Sequence, residues 1–226
     1  MKNWLKFILL AIVASCSIHA HAEEPHDTIY FYDNWQQILF MEPSGGFMDP
    51  FLALYTPYEI AIETGVEKID QAILKTHIAA TLGDSIWLIN SEYLKREFSG
   101  DSKKLREFMP FFFNDKVAYI TYVGEGDNLS LKHILFGDMT ELDYEEVVDY
   151  YFIDFQHKKV IKITPSSLSE LLEDYHDLQM RYEGMKDYKK KDIMLDFFFK
   201  YIERVNQDVM KPYILDLFPP KVEHID

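Results

Sequence analysis

The chain has 226 residues, of which 48% are hydrophobic and 15% aromatic, and its formal net charge is −15 at neutral pH. This composition predicts a folded chain with a sizeable core and excludes a disordered one. The excess of acid excludes a nucleic-acid-binding protein, which needs clustered Lys and Arg to neutralise phosphates. It also disfavours adsorption to anionic lipid surfaces and favours cations or basic partners.

The N-terminal segment has the three-part layout of a secretory signal peptide. Lys2 and Lys6 precede an unbroken apolar run at residues 7–14, and small and polar residues follow it. The run is far shorter than the about 20 residues that a membrane-spanning helix needs, and no other segment of the sequence reaches that length. We therefore expect export and no transmembrane helix.

Cleavage after Ala22 fits the small residues that signal peptidase prefers, since Ala20 and Ala22 flank His21. The mature chain would then begin at Glu23. We predict a signal peptide over residues 1–22 and a single α+β domain over residues 23–226. Loss of the two lysines of the leader changes the formal charge from −15 to −17.

Cys16 is the only cysteine and offers an alternative to cleavage at Ala22. The stretch Val13-Ala14-Ser15-Cys16 resembles a bacterial lipobox, although Val13 stands where leucine is favoured. Lipidation of Cys16 would tether the protein to a membrane, whereas cleavage at Ala22 would release it into the periplasm or the medium. In both cases the folded part has no cysteine, which excludes an internal disulfide, thiol catalysis and thiolate metal sites.

The first half of the folded part predicts short strands that lead into helices. Alternating apolar residues predict strands at 27–33 and 58–64, and a short apolar run predicts one at 85–90. A hairpin is predicted at 111–123 around Asn114-Asp115. Helix-capping residues follow the three strands: Asp33 or Asn34, Thr64 with Glu67, and Asn90 or Ser91. In the hairpin, Phe111 and Phe113 face one way and Phe112 the other, so we expect cover on both faces.

The second half predicts a hairpin followed by two helices. Residues 124–148 predict an irregular region with a possible strand at 131–136, and a hairpin is predicted at 149–164. One helix is predicted from Pro165, with Ser167 and Glu170 as its capping box, to Gly184, and a second from about Asp187 to Met210. The fold class is therefore α+β, with short, mostly antiparallel strands and hairpins packed with helices and a C-terminal helical pair.

A search for catalytic and cofactor motifs finds none. The sequence has no nucleophile elbow, phosphate loop, dinucleotide fingerprint or zinc-protease motif. The glycines of "GEGDN" at 124–128 lack the spacing and the following lysine of a phosphate loop. We assign no catalytic residue, and we expect no cofactor and no metal.

Three acidic or histidine-containing features are of a type that can bind a metal ion. Glu173 and His176 form a Glu-x-x-His pair, but carboxylate metal sites need a second copy, which the sequence lacks. His77 lies on an apolar stripe, which favours a core histidine bonded to a carbonyl. Acids in the stretch 138–146 lack the spacing of a calcium loop, and a charged surface is the simpler interpretation; they are Asp138, Glu141, Asp143, Glu145 and Glu146.

Aromatic residues are the remaining candidates for ligand contact. Phe197, Phe198 and Phe199 cover roughly 200° of a helix surface, since successive residues lie about 100° apart. That width predicts a helix packed on two sides, with Phe199 as the residue most available to a partner. Aromatic faces also suit exported carbohydrate-binding proteins, so the weak ligand-binding candidates are Tyr30, Tyr32, Trp35 and Phe199, with core packing as the simpler interpretation.

Four stretches together resemble a known kind of protein: "DTIYFYDNW", "GDSIWLINSEYLK", "YFIDFQHKKVIKITP" and "LLEDYHDLQMRYEGMKDYKK". With them the chain resembles an exported family of unknown function from Gram-negative gut bacteria, over essentially the whole mature chain. The resemblance implies location in the envelope of a two-membrane bacterium, and it implies no activity and no catalytic residue.

The function that these observations favour is a non-enzymatic binding or accessory protein of the cell envelope, with an unknown protein or glycan partner. The alternative is a hydrolase that uses paired carboxylates on an envelope or dietary glycan. Such a pair must lie about 5–10 Å apart in a cleft. A pocket with facing carboxylates would favour the enzyme, and a shallow surface with exposed aromatic residues would favour the binding protein.

Overall fold

The computed structural model describes residues 28–47, 52–55, 60–83, 86–123, 148–208 and 213–218. The strands are β1 (Ile29–Tyr32), β2 (Gly45–Phe47), β3 (Leu52–Tyr55), β4 (Ile60–Glu63), β5 (Ala79–Leu82), β6 (Ile86–Asn90), β7 (Ser99–Gly100), β8 (Phe108–Phe113), β9 (Ala118–Val123), β10 (Val148–Asp154) and β11 (Lys159–Lys162). The helices are α1 (Trp35–Phe40), α2 (Glu67–Thr76), α3 (Ser91–Glu97), α4 (Pro165–Leu171), α5 (His176–Glu183), α6 (Lys191–Gln207) and α7 (Ile214–Leu217), with a 3₁₀ turn at Asp101–Lys104.

The strands form one mixed but mostly antiparallel sheet. Its hydrogen-bonded order is β2-β1-β5-β6-β8-β9-β10-β11-β7, and β7 is the strand that pairs in parallel, with β11. Strand β8 joins the two halves: its first residues pair with β6, and its last residues, from Phe111, pair with β9. The β3–β4 hairpin attaches where Ile60 pairs with Phe108.

One face of the sheet carries a continuous core that helices α1, α3 and α7 cover. This first cluster includes Trp35, Leu94, Met109, Tyr151 and Ile214, all buried. The side chains alternate between the faces along each strand, because successive residues of a strand point to opposite sides.

Helices cover the opposite face in two separate groups. At the β1–β5–β6 end, Ile73 of α2 packs on residues such as Phe31 and Leu88. At the β9–β10–β11 end, helices α4, α5 and α6 pack on Tyr150 and Phe152 and form a second cluster. This second group of helices forms one wall of the site described below.

The structure confirms the α+β class, the antiparallel pairing and the C-terminal helices. The hairpin turns lie where predicted, since β8 pairs with β9 and β10 with β11. Asn34 and Asn90 cap α1 and α3 by accepting backbone N–H bonds from Gln37 and Glu92. Strand β2, which the sequence did not predict, begins at Gly45 and pairs with β1.

Two predicted capping boxes are wrong in detail. Helix α2 begins after Val66 without a side-chain cap, and the Thr64 hydroxyl donates to the Asp70 carboxylate at 2.7 Å, so Glu67 is not its partner. Helix α4 begins at the predicted Pro165, but its box pairs Thr164 with Ser167 and does not use Glu170. Thr164 fits because its backbone is extended and its hydroxyl accepts the Ser167 N–H.

The predicted helix from Pro165 to Gly184 is two helices. Helix α4 ends at Leu171 and α5 starts at His176, with a turn in which the Tyr175 N–H bonds the Leu172 carbonyl at 2.8 Å. The residues on either side of this turn are buried on the same side, because Leu172, Tyr175 and Leu178 all belong to the second core cluster. Periodicity alone therefore predicted the buried face and missed the turn.

The predicted cover of the β8 hairpin is incomplete. Phe111 is buried, whereas Phe112, on the opposite face, is 50% exposed and stacks on Tyr119 at 5.1 Å. At the start of helix α2, Val66 and Ile69 are likewise exposed.

Within the residues that the structure describes, no helix has both the length and the apolar composition needed to cross a bilayer. Several expectations lie outside the described residues: the signal peptide with Cys16 and the cleavage site after Ala22, "GEGDN", the possible strand at 131–136, the acids at 138–146 and the predicted helix end near Met210.

Candidate functional site

A groove of about 380 Å³ lies between the β10–β11 hairpin and helices α4 and α6. We call it the C-terminal groove. Its apolar lining includes Phe152, Ile161, Leu171, Val205 and Leu217, and its polar lining includes Lys116, Asp154, His157, Glu170, Asp174 and Tyr201. Ligand sites in proteins generally occupy about 300–1,000 Å³ and combine an apolar surface with a few polar groups, so the groove is at the small end of that range.

The end of strand β10 supplies the first carboxylate. Asp154 accepts a hydrogen bond from the backbone N–H of His157 at 3.0 Å, which closes the β10–β11 turn, and it contacts the His157 ring nitrogen Nδ1 at 2.7 Å. The Asp154 side chain is 20% exposed and that of His157 is 70% exposed. The turn therefore fixes Asp154 at the edge of the groove and leaves its partner in solvent.

Helix α4 and the turn after it supply two more carboxylates. Glu170 belongs to the last turn of α4, and Asp174 lies in the break before α5. Both side chains line the groove and both residues are exposed. The break that sequence periodicity missed thus positions Asp174.

Helix α6 places Tyr201 in the lining. Its ring meets Phe152 and Tyr175 edge-on, with centroids 5.5 Å and 5.7 Å away. Tyr201 is only 6% exposed, and its hydroxyl has no hydrogen-bond partner in the described part of the chain. That hydroxyl keeps accessible surface, unlike the fully enclosed hydroxyl of Tyr182.

The surroundings keep the Tyr201 hydroxyl protonated. Burial raises the pKa of Tyr201 above its ordinary value of 10.0, and Tyr175, Asp154 and Asp174 raise it further by disfavouring a second negative charge. Burial likewise raises the pKa of Tyr175 to about 12, helped by Asp208, to whose carboxylate its hydroxyl donates at 3.2 Å. The groove therefore offers a neutral hydroxyl among carboxylates.

Lys116 is the one Lys or Arg among the described lining residues. Its ammonium donates to the backbone carbonyl of Asn206 and lies 5.4 Å from the centre of the Tyr213 ring. These contacts hold the cation at one end of the groove.

A second cleft, of about 520 Å³, lies between helices α2 and α3. It brings together Lys75, Lys95 and Arg96, but Lys95 pairs with Glu92 at 2.7 Å and Arg96 with Glu97 at 3.3 Å. Such exposed ion pairs are common on protein surfaces. Because Lys95 and Arg96 are already paired, this cleft is a control region in which no ligand binding is expected.

The residues that the sequence singled out for ligand contact lie elsewhere. Tyr32 and Trp35 are buried and Tyr30 is half-buried, all in or against the first core cluster. Trp35 Nε1–H donates to the Tyr93 hydroxyl at 2.9 Å. Phe199 is half-buried and meets Tyr119 edge-on at 5.9 Å. None of these four residues lines the C-terminal groove.

The candidate metal ligands are not brought together. Among the described residues, no three His, Cys, Asp or Glu side chains are arranged to hold a metal ion. Glu173 and His176 are exposed at the break before α5 and at the start of that helix. His77 contacts the Asp33 carboxylate at 2.5 Å and stacks on Phe31 at 4.7 Å, so its partner is a carboxylate and not the expected carbonyl.

Sequence reasoning missed Tyr201, Asp154 and Glu170 as groove residues. Tyr201 belongs to a regular buried stripe of α6, and nothing in that pattern marks a hydroxyl that opens into a groove. Asp154 ends a strand before a turn, where aspartate is common for local reasons. The lining residues are spread along the chain from Lys116 to Leu217, so no local motif could have identified the groove.

The chain matches a family model described as "Family of unknown function (DUF6563)" over residues 57–209, about two thirds of its length, and belongs to that family. The matched span includes Lys116 and the groove residues up to Val205. No curated protein and no solved structure matches the chain. Membership confirms the expected uncharacterised family, while export and a gut-bacterial origin stay predictions.

Proposed function

We propose that this protein is exported and serves as a binding or accessory module of the cell envelope, with the C-terminal groove as its ligand site. The proposal combines the signal-like N-terminal segment with a folded α+β structure that carries a groove of suitable size. The Tyr201 hydroxyl is the observation that carries it. Tyr201 is 6% exposed and lines the groove, and its hydroxyl bonds no described residue, so this group is available to hydrogen-bond a ligand.

A second candidate function is hydrolysis, because Asp154, Glu170 and Asp174 all line the groove. A carboxylic acid that donates a proton near neutral pH generally lies in apolar surroundings that exclude water. Glu170 and Asp174 are exposed, and Asp154 is held by the His157 turn. This arrangement suits attraction of a ligand better than proton transfer to one.

Amide chemical-shift mapping tests the proposed function. The ¹⁵N-labelled protein is mixed in turn with a neutral saccharide, a carboxylic acid and an amine, and each probe is recovered and analysed after incubation. We expect at least one probe to shift amides of β10, α4 and α6 and to be recovered unchanged, while amides of the α2–α3 cleft stay in place. Cleavage of the saccharide would establish the hydrolase, and the absence of any shift at the groove would refute the proposed site.

A further inference from the structure

We infer that the ligand of the C-terminal groove is an organic cation, a primary ammonium or guanidinium on an apolar stem such as a lysine or arginine side chain. This inference rests on the proposed function, because it names the chemistry that the same groove would bind. Three features of the groove carry it: its charge, the Tyr201 hydroxyl and the apolar lining.

The charge of the groove favours a cation. Among the described lining residues, Asp154, Glu170 and Asp174 contribute three carboxylates, against the single ammonium of Lys116, which donates to the Asn206 carbonyl. Glu170 has no ion pair with any described residue. A partly enclosed surface with an excess of one sign of charge raises the local concentration of the opposite ion. The net charge of the whole chain, −15, acts in the same direction.

The Tyr201 hydroxyl supplies a neutral hydrogen-bonding group beside those charges. Because its pKa is raised, the oxygen keeps its proton and also keeps lone pairs that accept an N–H. An anionic ligand could accept the hydroxyl proton but would meet the repulsion of Asp154 and Asp174. An ammonium or guanidinium can donate to the Tyr201 hydroxyl and also pair with the carboxylates. A cation therefore fits both the hydroxyl and the negative charge of the groove.

The apolar lining favours a stem of several carbons. Leu171 of α4, Val205 of α6 and Ile161 of β11 face the groove from its different walls. Long cationic side chains bury their methylene groups along apolar surface and keep the charge at the polar end. A volume of about 380 Å³ accommodates a ligand of the size of one or two amino acids.

Calorimetry with matched probes tests the inference on the purified protein. Nα-acetyl-L-lysine amide carries the cation, Nα-acetyl-L-norleucine amide has a similar stem without the ammonium, and Nα-acetyl-L-glutamic acid amide carries an anion. We expect the lysine probe to bind at least about tenfold more tightly than the norleucine probe, and the glutamate probe not to bind. Raising NaCl from about 0.05 M to about 0.5 M should weaken the lysine probe selectively, because salt screens exposed charges.

Variants identify the residues responsible. Asp154→Asn with Glu170→Gln should weaken the lysine probe about tenfold, and Tyr201→Phe about threefold, because a partly sheltered charge contributes more than a single neutral bond. Glu173→Gln is the matched control, since Glu173 is exposed beside Asp174 but does not line the groove. The melting temperature of each variant shows that it is folded.

The outcomes separate this inference from the proposed function. Equal affinity for the lysine and norleucine probes, or tighter binding of the glutamate probe, overturns the cation and leaves the groove as a binding site. An unchanged affinity in the Asp154→Asn, Glu170→Gln variant also overturns it. If no lysine binding is detected while the neutral saccharide shifts groove amides, the inference fails and the proposed function stands.

Discussion

At the scale of single residues, three buried tyrosines differ in what their hydroxyls meet. The Tyr93 hydroxyl accepts the Trp35 Nε1–H at 2.9 Å. The Tyr182 hydroxyl is enclosed without a partner among the described residues, whereas Tyr201 lines the groove and its hydroxyl is not enclosed. Removing a hydroxyl should therefore have a different consequence at each position.

Tyr93→Phe should destabilise the protein, because it leaves the buried Trp35 N–H without an acceptor. An unsatisfied buried donor costs about 1–3 kcal/mol. Tyr182→Phe is the matched control: it removes a hydroxyl that bonds nothing in the described structure, so it should cost little. Urea unfolding of the two variants measures both effects, and a larger loss of unfolding free energy in Tyr182→Phe than in Tyr93→Phe would contradict this account.

The Asp101 carboxylate is expected to make the free energy of unfolding depend on pH in the acidic range. Burial opposes its ionisation, but hydrogen bonds from the Lys104 side chain and the Lys162 backbone N–H outweigh burial and lower the pKa of the Asp101 carboxyl below its ordinary 3.8. The unfolded chain therefore binds the proton more tightly than the folded one. The stabilisation is present above pH 3.8 and is lost as pH falls through the lower folded value.

Asp101→Asn should lower stability at neutral pH and flatten its decline in acid, which unfolding curves measured across this pH range would show. Glu203→Gln is the control, because Glu203 is exposed and its side chain has no hydrogen bond or ion pair with a described residue. If the decline of unfolding free energy in acid is the same in Asp101→Asn as in the unmodified protein, the role given to this carboxylate is refuted.

At the scale of elements, helix α6 shows what a three-phenylalanine run does. Phe198 is fully buried, Phe197 is 3% exposed and Phe199 is half-buried. Phe197 packs on Tyr182, with ring centroids 5.3 Å apart, and Phe199 packs against the rings of Tyr119 and Tyr150. The helix is thus packed over a wide arc, and all three phenylalanines have aromatic neighbours.

Truncation of these residues should rank them by burial. Phe198→Ala and Phe197→Ala should each cost about 3–5 kcal/mol, from lost transfer energy and the cavity left behind. Phe199→Ala should cost less, because part of its ring already meets solvent. Phe40→Ala is the control, since Phe40 is 54% exposed on α1. The melting temperatures of the four variants measure these effects. Unchanged melting temperatures in both Phe197→Ala and Phe198→Ala would contradict the packing of α6 over a wide arc of its surface.

Elements with strong local signals could be predicted from the sequence. Asn34 and Asn90 combine an extended backbone with a side chain that accepts a helix N–H, and their helices begin where expected. The turn after Leu171 could not be predicted, because Leu172, Tyr175 and Leu178 keep a helical spacing of apolar residues across it. The spacing of apolar residues predicts which residues are buried. It cannot predict a turn that leaves the same residues buried.

At the scale of the whole molecule, the sheet explains why the site was invisible to sequence reasoning. One face carries a continuous core and the other carries two separate groups of helices. The C-terminal groove lies where one of these groups meets the β10–β11 hairpin, and residues as distant as Lys116 and Val205 line it. The sequence could show only that Tyr32 and Trp35 are aromatic, which made them candidates for ligand contact. In the structure both residues are buried in the first core cluster.

Export is the prediction that belongs to the whole chain. We expect the intact mass of the exported protein to correspond to a chain that begins at Glu23 and carries no acyl group, because Ala20 and Ala22 suit signal peptidase. Mass spectrometry of the protein recovered from the envelope fraction measures it. A diacylated or triacylated Cys16 at the N-terminus would instead establish a membrane-tethered lipoprotein, and an intact Met1 would refute export by a cleaved signal.

The most direct measurement of the central claim follows the ring of Tyr201 in protein labelled with ¹³C at the tyrosine ε positions. Its signal is identified by its loss in Tyr201→Phe, and Nα-acetyl-L-lysine amide is then titrated in. If the groove is the ligand site, the Tyr201 signal shifts with saturation. The signals of Tyr93, in the first core cluster, and of Tyr182, which packs against Phe197 and Tyr188, stay in place because neither residue lines the groove. Saturable binding of the probe that shifts other tyrosines and leaves Tyr201 unchanged would contradict the claim that this groove is the ligand site.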